Sequence, residues 1–225
     1  MPYYLFEESS LQVRIGKIIC LARTYKKHAE EMGSVVIKEP LIFLKPASSV
    51  IFDRQSIVIP ERAKEVHHEV ELGVVIGKGG KKISEENAEE HILAYLLGLD
   101  ITARDIQQEA KTHGWPWTAA KGFDTFCPIS TVVTKEKVKD ANNLSITLKV
   151  NDRVRQSSST KNMIYPVEKI VALVSEIMTL ERGDLILTGT PEGVGTIKPG
   201  DVIDAELGDI CSLRVDVIEE GANKL

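Results

Sequence analysis

The sequence predicts an α+β fold built around a large mixed or antiparallel sheet, on three observations. Short apolar runs rich in Val and Ile recur along the chain and end at Gly, Pro or Asp, as strands do. Segments with a 3.6-residue period are few. The strand-like runs do not alternate strictly with the helical ones, which argues against a doubly wound parallel sheet.

Strand-like runs cover residues 17–22, 41–44, 56–59, 70–76, 95–101, 144–150, 184–188, 202–206 and 211–218. Three helices are expected. Ser84 is placed to cap a helix running through Ile92. A second covers residues 103–113 and stops at Gly114. The third covers residues 166–180, where Val167, Ile170, Val171, Val174, Ile177 and Met178 repeat at helical spacing, Pro166 opens the helix and Gly183 closes it. The run Gly189-Thr190-Pro191-Glu192-Gly193-Val194-Gly195 follows a strand. It lacks the Gly-Lys-Ser/Thr ending of a P-loop and does not fit GxGxxG. Its glycines read as a tight turn needing positive φ, which leaves the Thr190 hydroxyl as a candidate ligand group.

Composition bounds the function. A chain of 225 residues is one large domain or two small ones, and no repeat, low-complexity stretch or linker divides it, so a single domain over residues 1–225 is expected. The 28 basic and 33 acidic residues give a net charge of −5, which offers no electrostatic footprint for nucleic acid. No apolar run approaches the ~18 residues of a membrane span, and the N-terminus lacks the basic and apolar regions of a signal peptide. Cys20, Cys127 and Cys211 form no CxxC pair and lie in apolar stretches, so neither a zinc site nor a disulfide framework is expected, and a reducing cytoplasm is the simplest setting.

The segment 66–76 carries the first chemical signal. Read as one strand, it places His67, Glu69 and Glu71 on one face and His68, Val70 and Leu72 on the other. Glu69 and Glu71 are then about 7 Å apart between Cβ atoms. On this segment alone an edge strand with its polar face in solvent is the simpler explanation, since many half-exposed strands carry alternating acids. Asp100, inside the apolar run Leu96-Leu97-Gly98-Leu99-Asp100-Ile101, tips the balance. It could cap the helix that begins near Ala103, but Thr102 can do that as well. Three carboxylates on two strands, with no thiolate and no clear imidazole set, form an oxygen-only group that selects Mg²⁺ or Mn²⁺, with Ca²⁺ as an alternative. Three protein oxygens leave positions open for water or substrate, the catalytic type of site.

At these residues the chain resembles the short form of the fumarylacetoacetate hydrolase family, in its acylpyruvate hydrolase and oxaloacetate decarboxylase branch. The likeness covers about residues 12–218 and rests on IICLARTY (18–25), FLKP (43–46), HEVELG (68–73), GLDITARD (98–105), WTAAKGF (117–123) and GDLILTGTPEGVG (183–195). It implies a mixed β-roll with a few short helices, a homodimer, and Mg²⁺ or Mn²⁺ held by Glu69, Glu71 and Asp100. It further implies an acid–base dyad of His28 and Glu31, an active-site Lys121, and substrate contacts from Arg23, Arg104, Gln107 and Thr190. The spacing of His28 and Glu31, and of Arg104 and Gln107, places each pair on one helix face.

The substrates so implied are 2-oxo acids with a cleavable C–C bond. The expected activity is metal-dependent hydrolysis of acylpyruvate-type 2,4-dioxo acids through a pyruvate enolate, with decarboxylation of oxaloacetate alongside it. An isomerase or decarboxylase acting on 2-hydroxyhepta-2,4-diene-1,7-dioate would use the same electron sink. A metal-stabilised binding protein of the same fold is the non-enzymatic alternative.

Overall fold

The computed structural model describes residues 2–6, 11–31 and 40–222. Its strands are, in chain order, β1 (Ile18–Ala22), β2 (Leu41–Lys45), β3 (Val50–Phe52), β4 (Ser56–Ile59), β5 (Val66–His68), β6 (Val70–Ile76), β7 (Ile92–Leu99), β8 (Thr102–Ala103), β9 (Cys127–Ile129), β10 (Val133–Thr134), β11 (Ser145–Val150), β12 (Arg153–Ser159), β13 (Leu185–Leu187), β14 (Gly195–Ile197), β15 (Val202–Leu207) and β16 (Cys211–Glu219). The helices are α1 (Lys26–Glu31), α2 (Ala88–His91), α3 (Arg104–His113), α4 (Thr118–Lys121) and α5 (Val167–Ile177). One sheet runs β2-β1-β13-β6-β7-β9-β3 with β10 added to β7, a second runs β12-β11-β15-β16-β4, and a third runs β14-β5-β8. The pairs β1–β13, β3–β9 and β16–β4 are parallel and the rest antiparallel, so the sheets are mixed and the fold is α+β as expected.

β6 is buried along its whole length because β13 and β7 flank it and both faces meet apolar cores. Leu72, Val74 and Ile76 enter the core shared with α5 and the second sheet, while Val75 enters the other with Leu96, Leu185 and Cys20. A strand buried on both faces reads as a continuous apolar run, which is why VELGVVI looks as it does. The three cysteines are free thiols. Among the described residues no helix is long and apolar enough to cross a membrane.

The structure corrects several boundaries. The segment 66–76 is not one strand: pairing breaks at Glu69, with β5 in the three-stranded sheet and β6 in the large one. β6 is central, and Glu69 and Glu71 are both buried, so the edge-strand reading of these acids fails. The expected helix after Ser84 is a 3-10 turn (Glu85–Asn87) followed by the four-residue α2, and Ile92 already opens β7. Ser84 makes no side-chain cap there. α3 ends as expected, with Gly114 left-handed at φ 69°. Neither Asp100 nor Thr102 caps α3, whose N-cap is Ala103. α5 stops at Ile177, and Met178 is already extended. β12 escapes a reading by apolar pattern because Arg-Val-Arg-Gln-Ser-Ser-Ser is polar and its one aliphatic residue, Val154, is exposed.

Gly183 therefore does not close α5; it turns the chain into β13 at φ 92°, where a Cβ would stand 2.1 Å from the Arg14 carbonyl oxygen. Its own carbonyl accepts from the Tyr4 hydroxyl and the Gly16 N–H. Gly183→Ala is expected to lower stability by at least about 1–3 kcal/mol, the usual cost of a strained backbone, before the clash is counted. Urea denaturation measures this; a midpoint unchanged from wild type would contradict it.

Candidate metal centre and its pocket

Strand register builds the centre. Val70 pairs with Leu99 and Glu71 with Gly98, and the Asp100 N–H donates to the Glu69 carbonyl. Glu69 and Asp100 thus leave the ends of adjacent strands side by side, with Glu71 two residues further in on the same face. One carboxylate oxygen from each of Glu69, Glu71 and Asp100 lies within 4.8 Å of the other two, and all three residues are buried. They form the floor of a pocket whose walls include Arg23, His28, Phe43, Arg104, Gln107, Lys111, Trp117, Lys121 and Thr190.

Two buried lysines hold this floor. Lys121, in the last turn of α4, places Nζ 2.9 Å from Glu69 Oε2, 2.5 Å from Asp100 Oδ2 and 2.6 Å from the Thr102 hydroxyl. Lys45, at the end of β2, stands 2.9 Å from Asp100 Oδ1. Its three N–H groups, however, point to the carbonyls of Ile101, Lys121 and Phe126. Asp100 Oδ1 is therefore buried without a hydrogen bond. A buried carboxylate oxygen with no donor, beside two further carboxylates, suits a hard cation that prefers oxygen ligands. The donor set fits a divalent metal.

The electrostatics divide the two glutamates. Burial disfavours the Glu69 carboxylate, but Lys121 and Arg104 outweigh it and hold its pKa well below the usual range. Glu71 goes the other way: burial, then Asp100 and Glu69, push its pKa well above that range, against the help of Lys121 and the Gly189 N–H, which donates to Oε2 at 2.7 Å. Without metal, Glu71 is the acid that keeps its proton.

The remaining residues implied by the resemblance fall around this floor. Arg104 and Gln107 share a face of α3, with Nη1 2.7 Å from Gln107 Oε1, and the Arg104 guanidinium also donates to Glu69. His67 Nε2 lies 2.7 Å from the Glu65 carboxylate, and its Nδ1 faces Arg104 Nε at 3.4 Å. On α1, His28 Nδ1 is 3.3 Å from Glu31 Oε2, and both Glu31 oxygens accept from the Gly193 N–H. Arg23 lines the pocket from a left-handed backbone at φ 66°. Thr190 lines it too, but its hydroxyl donates to the Val70 carbonyl and accepts from Gln156, so it braces the wall.

Residues that sequence reasoning passed over do much of the positioning. Gln156 of β12 is fully buried. Its Oε1 accepts from the Val70 N–H at 3.1 Å and lies 3.0 Å from His68 Nδ1, and its Nε2 donates to Thr190 and the Pro191 carbonyl. Burial lowers the His68 pKa to about 4, so this ring is neutral near pH 7. Nothing in the polar run of β12 marks Gln156. Lys45 did leave a signal: a lysine inside Leu-Ile-Phe-Leu-Lys-Pro is out of place on an apolar strand.

Because the folded chain keeps the Glu71 proton where the unfolded chain releases it, metal-free protein loses stability as pH rises above the usual carboxylate range toward the folded-state pKa. Glu71→Gln removes that loss. In chelator at about pH 8 the variant is expected to be more stable than wild type, with the gap closing near pH 4. With saturating Mn²⁺ the order reverses, since only wild type gains the full binding free energy. Denaturation with and without chelator tests this; identical pH profiles for the two proteins would sink it.

Comparisons with known proteins place nearly the whole chain among relatives of one family. The family model described as the C-terminal domain of fumarylacetoacetate (FAA) hydrolase matches residues 17–218. Mitochondrial oxaloacetate tautomerase FAHD1 of Mus musculus is 46% identical over 200 residues, covering 89% of this chain and 90% of the mouse protein. The mitochondrial oxaloacetate decarboxylase of Dictyostelium discoideum is 48% identical over 204 residues, covering 90% of this chain and 94% of that protein. The crystal structure of fumarylpyruvate hydrolase from Pseudomonas aeruginosa, in complex with Mn²⁺ and pyruvate, has a TM-score of 0.94 at 34% identity, covering 97% of this chain and 96% of that one. With the family match spanning nearly the whole length and the fold shared throughout, the chain belongs to the fumarylacetoacetate hydrolase family.

Proposed function

We propose that this chain is a divalent-metal-dependent enzyme that carries 2-oxo acids through an enolate, with oxaloacetate as the substrate it tautomerises and decarboxylates. The observation that carries this reading is the convergence of three buried carboxylates on the floor of a pocket whose walls are cationic. Relatives named for oxaloacetate chemistry, at 46% and 48% identity, support it.

Glu69, Glu71 and Asp100 would hold Mg²⁺ or Mn²⁺, which supplies Lewis-acid stabilisation of negative charge on a keto oxygen. The chain's own groups do the rest. Lys121, tied to Glu69 and Asp100, places a fixed positive charge beside the oxygen where enolate charge develops. Arg104, oriented by Glu69 and Gln107, presents its guanidinium to the bound acid. His28 directs Nδ1 to Glu31, which leaves Nε2 to move a proton at C3. Enol-to-keto tautomerisation removes the proton of the enol oxygen and adds one at C3, with no C–C bond broken; decarboxylation breaks the C3–C4 bond, releases CO₂ and then takes a proton at C3.

Hydrolysis of acylpyruvates is the second reading, favoured by the His28–Glu31 contact at 3.3 Å. The same dyad can take a proton from the water that attacks the departing acyl carbon. The similarity to fumarylpyruvate hydrolase supports it. We further propose a symmetric homodimer, because the edge strand β2 exposes Leu41 and Leu44.

Enol-to-keto conversion and decarboxylation of oxaloacetate, with acetylpyruvate cleavage beside them, test these readings. Activity is expected to vanish in chelator and return with Mg²⁺ or Mn²⁺. His28→Ala should lower the rate by about 10²–10⁴-fold while Mn²⁺ affinity stays within a few-fold of wild type. Full turnover in chelator would overturn the metal reading; a rate for His28→Ala within about a factor of two of wild type would overturn the dyad. Sedimentation as a monomer at micromolar concentration would remove the dimer.

A further inference from the structure

The cations of the pocket fall into two groups. Lys121 and Arg104 are ion-paired with the carboxylates of the floor. Arg23 and Lys111 line the same pocket, yet among the described residues neither has a carboxylate within ion-pair distance. Lys111, at the exposed mouth near the end of α3, holds its ammonium 5.4 Å from the centre of the Trp117 ring. Partial burial there, with Arg104, Arg23 and Lys121 acting against the attraction of Glu69, lowers the Lys111 pKa. Arg23 is set in the wall from a left-handed backbone, a conformation disfavoured for a side chain of this size. Such strain at a pocket wall is a reason to look for a ligand.

The charges around the pocket say what that ligand is. Arg23, Arg104, Lys111 and Lys121 face three carboxylates. A bound dication would leave a clear positive surplus. On the proposed function the carboxylate and keto oxygen of a 2-oxo acid would meet the floor, where Lys121 and Arg104 already stand. The surplus therefore lies at the mouth, with Arg23 and Lys111.

We propose that Lys111, together with Arg23, forms a subsite for a second carboxylate and makes the pocket select 2-oxo acids carrying two carboxylates over those carrying one. Trp117 holds the ammonium in place through its ring face. The inference rests on the 2-oxo acid reading of the floor and adds to it the group that reads the far end of the substrate.

A matched pair of unreactive probes separates the two ideas. 2-Oxoglutarate and 2-oxopentanoate share a five-carbon chain and a 2-oxo acid head, and differ in the terminal carboxylate. Calorimetry on Mn²⁺-loaded protein is expected to show 2-oxoglutarate binding at least about tenfold more tightly, as a charge-assisted contact allows. Lys111→Met should shrink that ratio to below about threefold, and Lys111→Arg should keep most of it. Oxaloacetate against 2-oxobutanoate, read as inhibitor constants, repeats the test at the shorter chain length. Thermal denaturation of each variant shows that it folds. Equal binding of both acids by wild type, or a ratio that Lys111→Met leaves unchanged, would overturn the subsite and leave the reading of the floor standing. Failure of every one of these acids to bind would overturn the floor reading and the subsite together.

Discussion

Three carboxylates cannot share a dry site on two adjacent strands without positive charge between them, and the rest of this structure answers that requirement. Carboxylates about 4 Å apart repel by about 4 kcal/mol even at an effective dielectric of 20. Lys121 ties Glu69 to Asp100, and Lys45 stands behind Asp100. Both lysines are buried, which is costly unless each N–H finds an acceptor. They do: Lys45 reaches three carbonyls and Lys121 reaches two carboxylates and a hydroxyl. The carbonyls that satisfy Lys45 belong to Ile101, Lys121 and Phe126, so the same ammonium that balances Asp100 also joins the chain after β7, the end of α4 and the loop before β9. Electrostatic balance and tertiary structure are here one set of contacts.

That balance remains incomplete at Glu71 and at Asp100 Oδ1, the atom left without a donor. A third lysine beside Glu71 could have filled the gap and made the site inert. Among the described residues none pairs with Glu71, which leaves a place for an exchangeable cation with open coordination positions. The break between β5 and β6 serves the same end. Glu69 sits where the chain passes from one sheet to the other, outside either ladder, and the Val70 N–H and carbonyl beside it are held by Gln156 and Thr190. Side chains thus replace the ladder where it is interrupted, and the Glu69 carboxylate is aimed without an edge strand or a helix terminus to aim it.

How much of this was legible in the sequence varies with the physical signal. The acids Glu69, Glu71 and Asp100 stood out because charge inside apolar runs is costly, and alternation placed two of them on one face. The α+β class followed from strand-like runs that do not alternate with helices, and α3 was marked by its C-terminal glycine. The parts that were not legible depend on contacts distant in sequence. Gln156 is 86 residues from Val70, and its strand is polar with no period to betray it. Strand order decided whether β6 was an edge or a centre, and no local pattern encodes strand order. α5 ends before its apolar period does, because Met178 and Leu180 pack against the core from extended and bridging positions that continue the pattern without the helix. Residues such as His28, Glu31 and Lys121 have nothing local to distinguish them from surface charge, and only motif resemblance pointed to them.

The pairing pattern also separates two tasks within one pocket. Lys45, Lys121 and Arg104 are bound to the carboxylates of the floor, so changing any of them alters the cage in which a metal would sit. Arg23 and Lys111 touch none of those carboxylates, so the mouth can change without disturbing the floor. α3 links the two: its first residue, Arg104, reaches Glu69, and two turns later Lys111 reaches the mouth beside Trp117. One rigid helix therefore sets the distance between a cation tied to the floor and a cation at the mouth. Relatives named as a hydrolase, a decarboxylase and a tautomerase match this chain over most of its length, and a division of this kind lets the mouth vary while the charge balance of the floor is kept.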